Sequence, residues 1–101
     1  MSMFHIDQGV YEYLRRKNAK LLDVRTPAEY RRGHIPGSVN VPLQSIDEIE
    51  YLVDNKEDPL FLYCHSGARS SMAAEELADM GYQNVYNIGG NAAYSGKVER
   101  V

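Results

Sequence analysis

The sequence predicts an α/β domain with a parallel sheet, because short apolar β-type runs alternate along the chain with segments that carry helix signals. The chain has 101 residues, which suits one domain with one real hydrophobic core. The run PLFLYC, at residues 59–64, is apolar enough for a strand buried on both faces. We therefore expect a single domain over residues 1–101.

Strand and helix signals alternate through the first half of the chain. Val10, Tyr11 and Leu14 recur at helical spacing and predict a first helix that begins at Asp7. The strands expected in this region lie at residues 4–6, 19–25 and 38–41.

Two capping boxes mark further helix starts. Thr26 can cap, Pro27 fits the first helical position and Glu29 closes the box, so a short helix begins there. Ser45 and Glu48 repeat this spacing. The buried stripe expected for the second of these helices is Ile46, Ile49 and either Leu52 or Val53.

The second half continues the alternation after the apolar strand. Residues 68–81 form the clearest helix pattern of the chain, with Met72, Leu77 and Met80 expected to face inward and Gly81 to end the helix. A last strand is expected at residues 84–88, followed by a glycine-opened helix or loop at residues 89–101.

The composition excludes several classes of function. Hydrophobic residues make up 44% and charged residues 25%, which is ordinary for a globular protein, and the net charge of −3 provides no basic face for nucleic acid. No stretch approaches the roughly 18 apolar residues of a membrane span, and the first residues do not resemble a signal peptide. We expect a cytoplasmic protein that binds neither nucleic acid nor membrane.

The strongest chemical signal is the only cysteine, Cys64, which ends the apolar strand. Ligands of open parallel sheets bind at the carboxyl ends of the strands, and four residues separate Cys64 from Arg69 at the start of the next helix. Gly67 can take a positive φ angle, which would turn successive backbone N–H groups inward as an anion nest. These dipoles and the Arg69 guanidinium would stabilise a thiolate.

A plainer interpretation of Cys64 stays open at this point, because a cysteine after an apolar strand is often an inert core residue. His65 is next to Cys64 in sequence, and since adjacent side chains seldom face each other, we expect it to be an exposed loop histidine. One cysteine cannot form an internal disulfide, and no second cysteine or metal-spaced histidine cluster accompanies it, which argues against a zinc site.

Two segments resemble the single-domain form of the rhodanese (sulfurtransferase) family: LLDVRTPAEYRRGHIPGSVNVPL at residues 21–43 and YCHSGARSSMAAEELADMGYQNVYNIGG at residues 63–90. The resemblance extends over residues 4 to about 95, with both segments in the usual order and at the usual distance. It implies a single rhodanese-like domain with a central five-stranded parallel sheet flanked by helices on both faces. It also implies a six-residue active loop at residues 64–69.

The resemblance assigns roles to individual residues. Cys64 matches the persulfide-carrying cysteine, and Arg69 matches the arginine that closes the loop. Glu29 and His34 match positions with packing and hydrogen-bonding roles. The residues in and directly after the active loop that would bind substrate are His65, Ser66, Gly67, Ala68 and Ser70. The supporting positions are Asp23 and Arg25 at the edge of the loop, and Gly89 and Gly90, which let the backbone bend near the pocket.

The chain departs from the family pattern at two places. Members usually carry a tryptophan after the paired glycines, whereas this chain has no tryptophan. Tyr94 is the nearest aromatic residue that could line the wall of the pocket in its place. Many thiosulfate users have a basic residue beside the cysteine, where this chain has His65. The identity of the sulfur donor therefore stays open.

The resemblance implies an enzyme that moves a sulfane sulfur through a Cys64 persulfide. The expected partners are a small-molecule sulfur donor, such as thiosulfate or a persulfide, and a thiol or cyanide acceptor; a protein persulfide or thiol could fill either role. No cofactor and no metal are expected, and the chain is expected to be a monomer or a weak dimer.

Two alternatives remain. The related cysteine phosphatases and arsenate reductases have one more residue between cysteine and arginine, which leaves room for a tetrahedral oxyanion. A non-catalytic binding module of the same fold often lacks the cysteine that this chain retains.

Overall fold

The computed structural model describes residues 2–3 and 5–101, in which the strands form one parallel sheet in the order β1-β5-β4-β2-β3. The expected α/β fold with a parallel sheet is confirmed. The edge strands β1 and β3 have only two residues each. The strands are β1 Ser2–Met3, β2 Lys20–Asp23, β3 Val39–Asn40, β4 Leu60–Cys64 and β5 Val85–Gly90.

Helices cover both faces of the sheet, as expected. The helices are α1 Ile6–Arg15, α2 Pro27–Arg32 and α3 Ala68–Asp79, with 3-10 helices at Leu43–Tyr51 and Asn91–Ala93. On one face Leu60, Leu62 and Cys64 of β4 pack with α3 and the longer 3-10 helix. On the other face Phe61 and Tyr63 pack with α1. Strand β4 is buried along its whole length because its alternating side chains enter both cores.

The expected strand at residues 4–6 is wrong over residues 5–6, while residue 4 lies outside the described part of the chain. Ile6 begins α1 instead, because the His5 side chain accepts a hydrogen bond from the Asp7 N–H and caps the helix. Val10 is buried as its spacing suggested, but Tyr11 and Leu14 are 63% and 72% exposed. The helix instead packs through Gly9, where an added Cβ would overlap the Ile88 side chain.

The helix expected to begin at Ser45 also differs from expectation. The helix expected from Ser45 is a 3-10 helix that begins at Leu43, and Ser45 has non-helical backbone angles inside it. Ile46, Ile49 and Val53 are buried as expected, whereas Leu52 is exposed.

In α3 the expectation for Met72 is wrong, since this side chain is 54% exposed. Leu77 is buried and Met80 packs against the same core. Ala73 and Ala74 occupy the inner face beside Leu77, so Met72 falls on the outer face. Gly81, with a φ angle of 101°, follows the helix as expected. Among residues 2–3 and 5–101, no helix is both long and apolar enough to span a bilayer.

Candidate active site

Cys64 lies at the carboxyl end of β4, where the chain turns into α3. Gly67 caps this helix with a φ angle of 100°, a conformation that other residues rarely adopt. The Gly67 N–H donates to Cys64 Sγ over 3.0 Å. The short connection therefore aims backbone amide groups at the sulfur, which is the arrangement of an anion nest.

The pKa of Cys64 reflects two opposing effects. Burial raises it, because Cys64 is only 1% exposed. Hydrogen bonds from the Ser70 hydroxyl and from the backbone N–H groups of Ser70, Gly67 and Ser66 lower it and outweigh the burial, so the pKa lies below its ordinary value. These hydrogen bonds thus stabilise the thiolate form of Cys64 relative to an ordinary cysteine, although the side chain is closed to solvent.

Ser70 connects the sulfur to β5. Its hydroxyl lies 3.6 Å from Cys64 Sγ, 3.1 Å from the Gly67 carbonyl oxygen and 2.7 Å from Asn87 Oδ1. Asn87 is buried and also contacts the loop, donating from Nδ2 to the Gly67 carbonyl over 3.3 Å. The sequence analysis did not single out Asn87; the only signal was a polar residue inside an apolar strand.

Arg69 does not reach toward the loop carbonyls but pairs with Glu29. Its Nη1 lies 2.7 Å from Glu29 Oε1 and its Nη2 lies 3.0 Å from Oε2. The bond with Arg69 is the main cause that lowers the pKa of Glu29 to about 2, against the effect of burial. The hydrogen bonds from Thr26 in the predicted capping box add to this lowering. Arg69 therefore ties the start of α3 to the start of α2.

Asp23, at the end of β2, and Arg25, just after it, form an ion pair near the loop. Arg25 Nη2 lies 2.6 Å from Asp23 Oδ2, and both side chains are buried. When the Asn91 amide is oriented so that both of its groups are satisfied, its nitrogen donates to the Cys64 carbonyl over 3.0 Å. Its oxygen then accepts from Arg25 Nη1 over 3.2 Å. Asn91 was also missed by the sequence analysis.

The paired glycines bring β5 against the loop. Between Leu62 and Cys64 the register shifts, so that Leu62 pairs with Asn87 and Cys64 with Gly90. Gly90 has ordinary extended angles, but an added Cβ would overlap the His65 carbonyl oxygen. Close approach of the two backbones therefore requires a glycine at this position.

A cavity of about 430 Å³ opens beside the loop. His65 is exposed, as expected, and lines this cavity, as does Asn91, whereas Cys64 does not. Tyr94, which was expected on the wall of the pocket, packs instead with the core on the α1 face. The residues that line the cavity are Arg25, Glu29, Arg32, Gly33, His65, Asn91 and Val98.

Residues 8–97 match the family model of the rhodanese-like domain, so the chain belongs to this family. It is 41% identical over 70 residues to the thiosulfate sulfurtransferase PspE of Escherichia coli, covering 68% of this chain and 67% of that protein. It is 35% identical to the thiosulfate sulfurtransferase GlpE of Pseudoalteromonas translucida, covering 88% of this chain and 89% of that protein.

Solved structures agree with this assignment. A structure described as rhodanese with anions from E. coli superposes with a TM-score of 0.77 at 33% identity, covering 82% of this chain and 99% of that one. A Staphylococcus saprophyticus protein, SSP1007, superposes with a TM-score of 0.82 at 25% identity, covering 99% of this chain and all of the other. The shared fold therefore extends over nearly the whole chain.

Proposed function

We propose that this chain is a sulfurtransferase that carries a sulfane sulfur on Cys64 and delivers it to a thiol or to cyanide. The observation that carries the proposal is the cradle around Cys64 Sγ, with the Gly67 N–H at 3.0 Å and the Ser70 hydroxyl at 3.6 Å. Two relatives with 35% and 41% identity are named thiosulfate sulfurtransferases, which supports the same reaction here.

The reaction is a double displacement. The Cys64 thiolate attacks the outer sulfur of thiosulfate, a new S–S bond forms, and the bond to the sulfonate sulfur breaks with its electron pair leaving on sulfite. The product is a Cys64 persulfide anion. An acceptor thiolate, or cyanide, then attacks the outer sulfur and the Cys64 thiolate leaves. Charge balances in each step without an oxidant or a reductant.

The loop is expected to act mainly by binding anions. Thiolate, thiosulfate and persulfide are all negatively charged, and N–H groups fixed in a dry site stabilise such charges without reorganising. Arg32 and His65 line the adjacent cavity and can attract an anionic donor, whereas Arg25 and Glu29 in the same lining are already paired with Asp23 and Arg69. Cys64 itself is buried and lies behind this lining rather than in it.

Intact mass spectrometry after incubation with thiosulfate tests this proposal. We expect the mass to increase by one sulfur atom and to return to its starting value after treatment with cyanide or a reducing thiol. The control is the Cys64→Ser variant. If that variant gains the same reversible sulfur, Cys64 is not the carrier and the proposal is wrong.

A further inference from the structure

The Ser70 hydroxyl has one proton and three acceptors around it. The acceptor at 2.7 Å is Asn87 Oδ1, while the Gly67 carbonyl lies at 3.1 Å and Cys64 Sγ at 3.6 Å. Since O–H···O bonds are strongest near 2.7 to 2.8 Å, the proton rests on the side of Asn87. The sulfur therefore competes with two oxygens, Asn87 Oδ1 and the Gly67 carbonyl, and receives only part of this hydrogen bond.

Asn87 is held firmly in the position from which it competes. Its Oδ1 also accepts from the Gly89 N–H over 2.9 Å, and its Nδ2 donates to the Gly67 carbonyl. Asn87 and Ser70 are 1% and 0% exposed, so water cannot replace either partner. A buried polar side chain on an otherwise apolar strand is costly unless its hydrogen bonds are satisfied, as they are here.

We propose that Asn87 is a positioning residue for Cys64: its side-chain oxygen holds the Ser70 hydroxyl proton and so limits how strongly that hydroxyl binds the anionic sulfur. A thiolate that receives one hydrogen bond fewer is more basic and more nucleophilic. Asn87 thus lowers the fraction of Cys64 that is ionised and raises the nucleophilicity of the thiolate that does form. Any effect of Asn87 on the rate of sulfur transfer rests on the proposed sulfurtransferase function. Its effect on the ionisation of the Cys64 thiol does not.

The other ionisable groups around the sulfur are the same in the wild type and in the Asn87→Leu and Ser70→Ala variants. The charged and titratable side chains nearest the loop are Asp23, Arg25, Glu29, Tyr63, His65 and Arg69. None of them is changed by substitution at positions 70 or 87, so a change in Cys64 ionisation reports on the hydroxyl.

The experiment measures the rate at which iodoacetamide alkylates Cys64 as a function of pH, read by intact mass. The chain has a single cysteine, so the product is unambiguous. Asn87→Leu removes the competing oxygen at nearly constant shape. We expect the Ser70 proton to turn to the charged thiolate rather than to the neutral Gly67 carbonyl, so that the thiolate fraction at pH 7 rises about threefold. With Ser70→Ala also present, Asn87→Leu should have no such effect.

A merely structural role for Asn87 predicts the opposite sign. If Asn87 only anchors Gly67, then Asn87→Leu loosens the loop, the amide groups leave the sulfur and the thiolate fraction falls. A fall, no change, or an equal change with and without Ser70 would each overturn the proposal.

If Asn87→Leu does not fold, Asn87→Asp replaces it and keeps the side-chain shape. A carboxylate holds the Ser70 proton more strongly than an amide does, so the thiolate fraction should fall. This fall should be at least twice as large with Ser70 as with Ser70→Ala, because the added negative charge acts in both backgrounds. Equal falls would contradict the proposal.

Discussion

Arg69 and Glu29 form a two-point ion pair across 40 positions of sequence, in which Nη1 donates to Oε1 and Nη2 donates to Oε2. The same Oε1 also accepts from the Thr26 backbone N–H and hydroxyl. Glu29 therefore completes the capping box of α2 and at the same time binds the arginine at the end of the Cys64 loop. The planar guanidinium and the planar carboxylate match in shape, so the two parallel hydrogen bonds hold both side chains in one orientation and strengthen the ion pair.

Arg69→Lys is expected to lower kcat/KM for sulfur transfer about tenfold, because a single ammonium cannot reproduce the two parallel bonds to Glu29. Because lysine keeps the positive charge, a fall in kcat/KM would be due to the lost geometry of the guanidinium and not to a lost charge. Steady-state kinetics with thiosulfate and cyanide provide the measurement. Unchanged kinetics would mean that the pair with Glu29 does not position the loop.

Glu29→Gln tests the ion pair through stability. The pKa of Glu29 is lowered to about 2, so its contribution is complete above its unfolded value near 4.5 and is lost as the pH falls toward 2. Gln can still complete the capping box. Because the pair is partly exposed, we expect the variant to lose about 1 to 2 kcal/mol at pH 7.

Urea denaturation of wild type and variant at pH 7, 5, 4 and 3 checks the Glu29→Gln prediction. The difference in the free energy of unfolding should shrink as the pH falls. Glu48→Gln, the same chemical change at an exposed site, is the matched control. A difference that stays constant over this range would show that the charge of Glu29 does not stabilise the fold.

Gly90→Ala is expected to displace the loop, since the added methyl group would overlap the His65 carbonyl oxygen. Backbone atoms cannot turn aside as a side chain can, so activity should fall at least tenfold, together with a stability loss of about 1 to 3 kcal/mol. The control is Gly81→Ala, whose methyl group enters open space but meets a φ angle of 101°. It should lose stability and keep activity; equal activity losses would refute the overlap as the cause.

His65→Arg is expected to lower KM for thiosulfate about fivefold at low salt, through about 1 kcal/mol of added attraction. His65 lines the cavity beside the loop, so a permanent charge there acts on a dianionic donor. The gain should shrink as salt is added. Gln83→Arg, exposed before β5 at the opposite end of the sheet, adds the same charge as a control. Equal effects of the two variants would mean that only net charge matters.

The chain should hydrolyse aryl phosphates negligibly. Four residues separate Cys64 from Arg69, and Arg69 is already engaged by Glu29, so the loop offers little room and no free fork for three equatorial phosphoryl oxygens. A standard chromogenic phosphatase assay tests this directly. Robust turnover that disappears in Cys64→Ser would favour the phosphatase alternative.

Some features that depend on neighbouring residues could be predicted from the sequence, although the box expected from Ser45 and Glu48 does not begin a helix. The capping box of Thr26 and Glu29 needs only three residues of separation, and the structure forms it as expected. The same holds for the buried run of β4 and for Gly81 as the end of α3. Gly67 was expected to take a positive φ angle, and it does.

Features set by long-range register could not be predicted in this way. Asn87 faces Ser70 only because β5 gains a residue relative to β4 between Leu62 and Cys64. Similarly, the inner face of α1 is decided by the close contact of Gly9 with Ile88, which overrides the apolar spacing of Tyr11 and Leu14. Such contacts depend on how separate elements dock, and no local pattern encodes that.

The last residues of the chain bear on how the protein could be engineered. Glu99 forms an antiparallel bridge with His34, the Val101 N–H donates to the Arg31 carbonyl, and Val98 lines the cavity. These backbone bonds hold residues 98–101 against Arg31 and His34, where Val98 forms part of the cavity lining. Replacing Val98 would therefore change the width of the cavity without altering Cys64 or the residues that contact its sulfur.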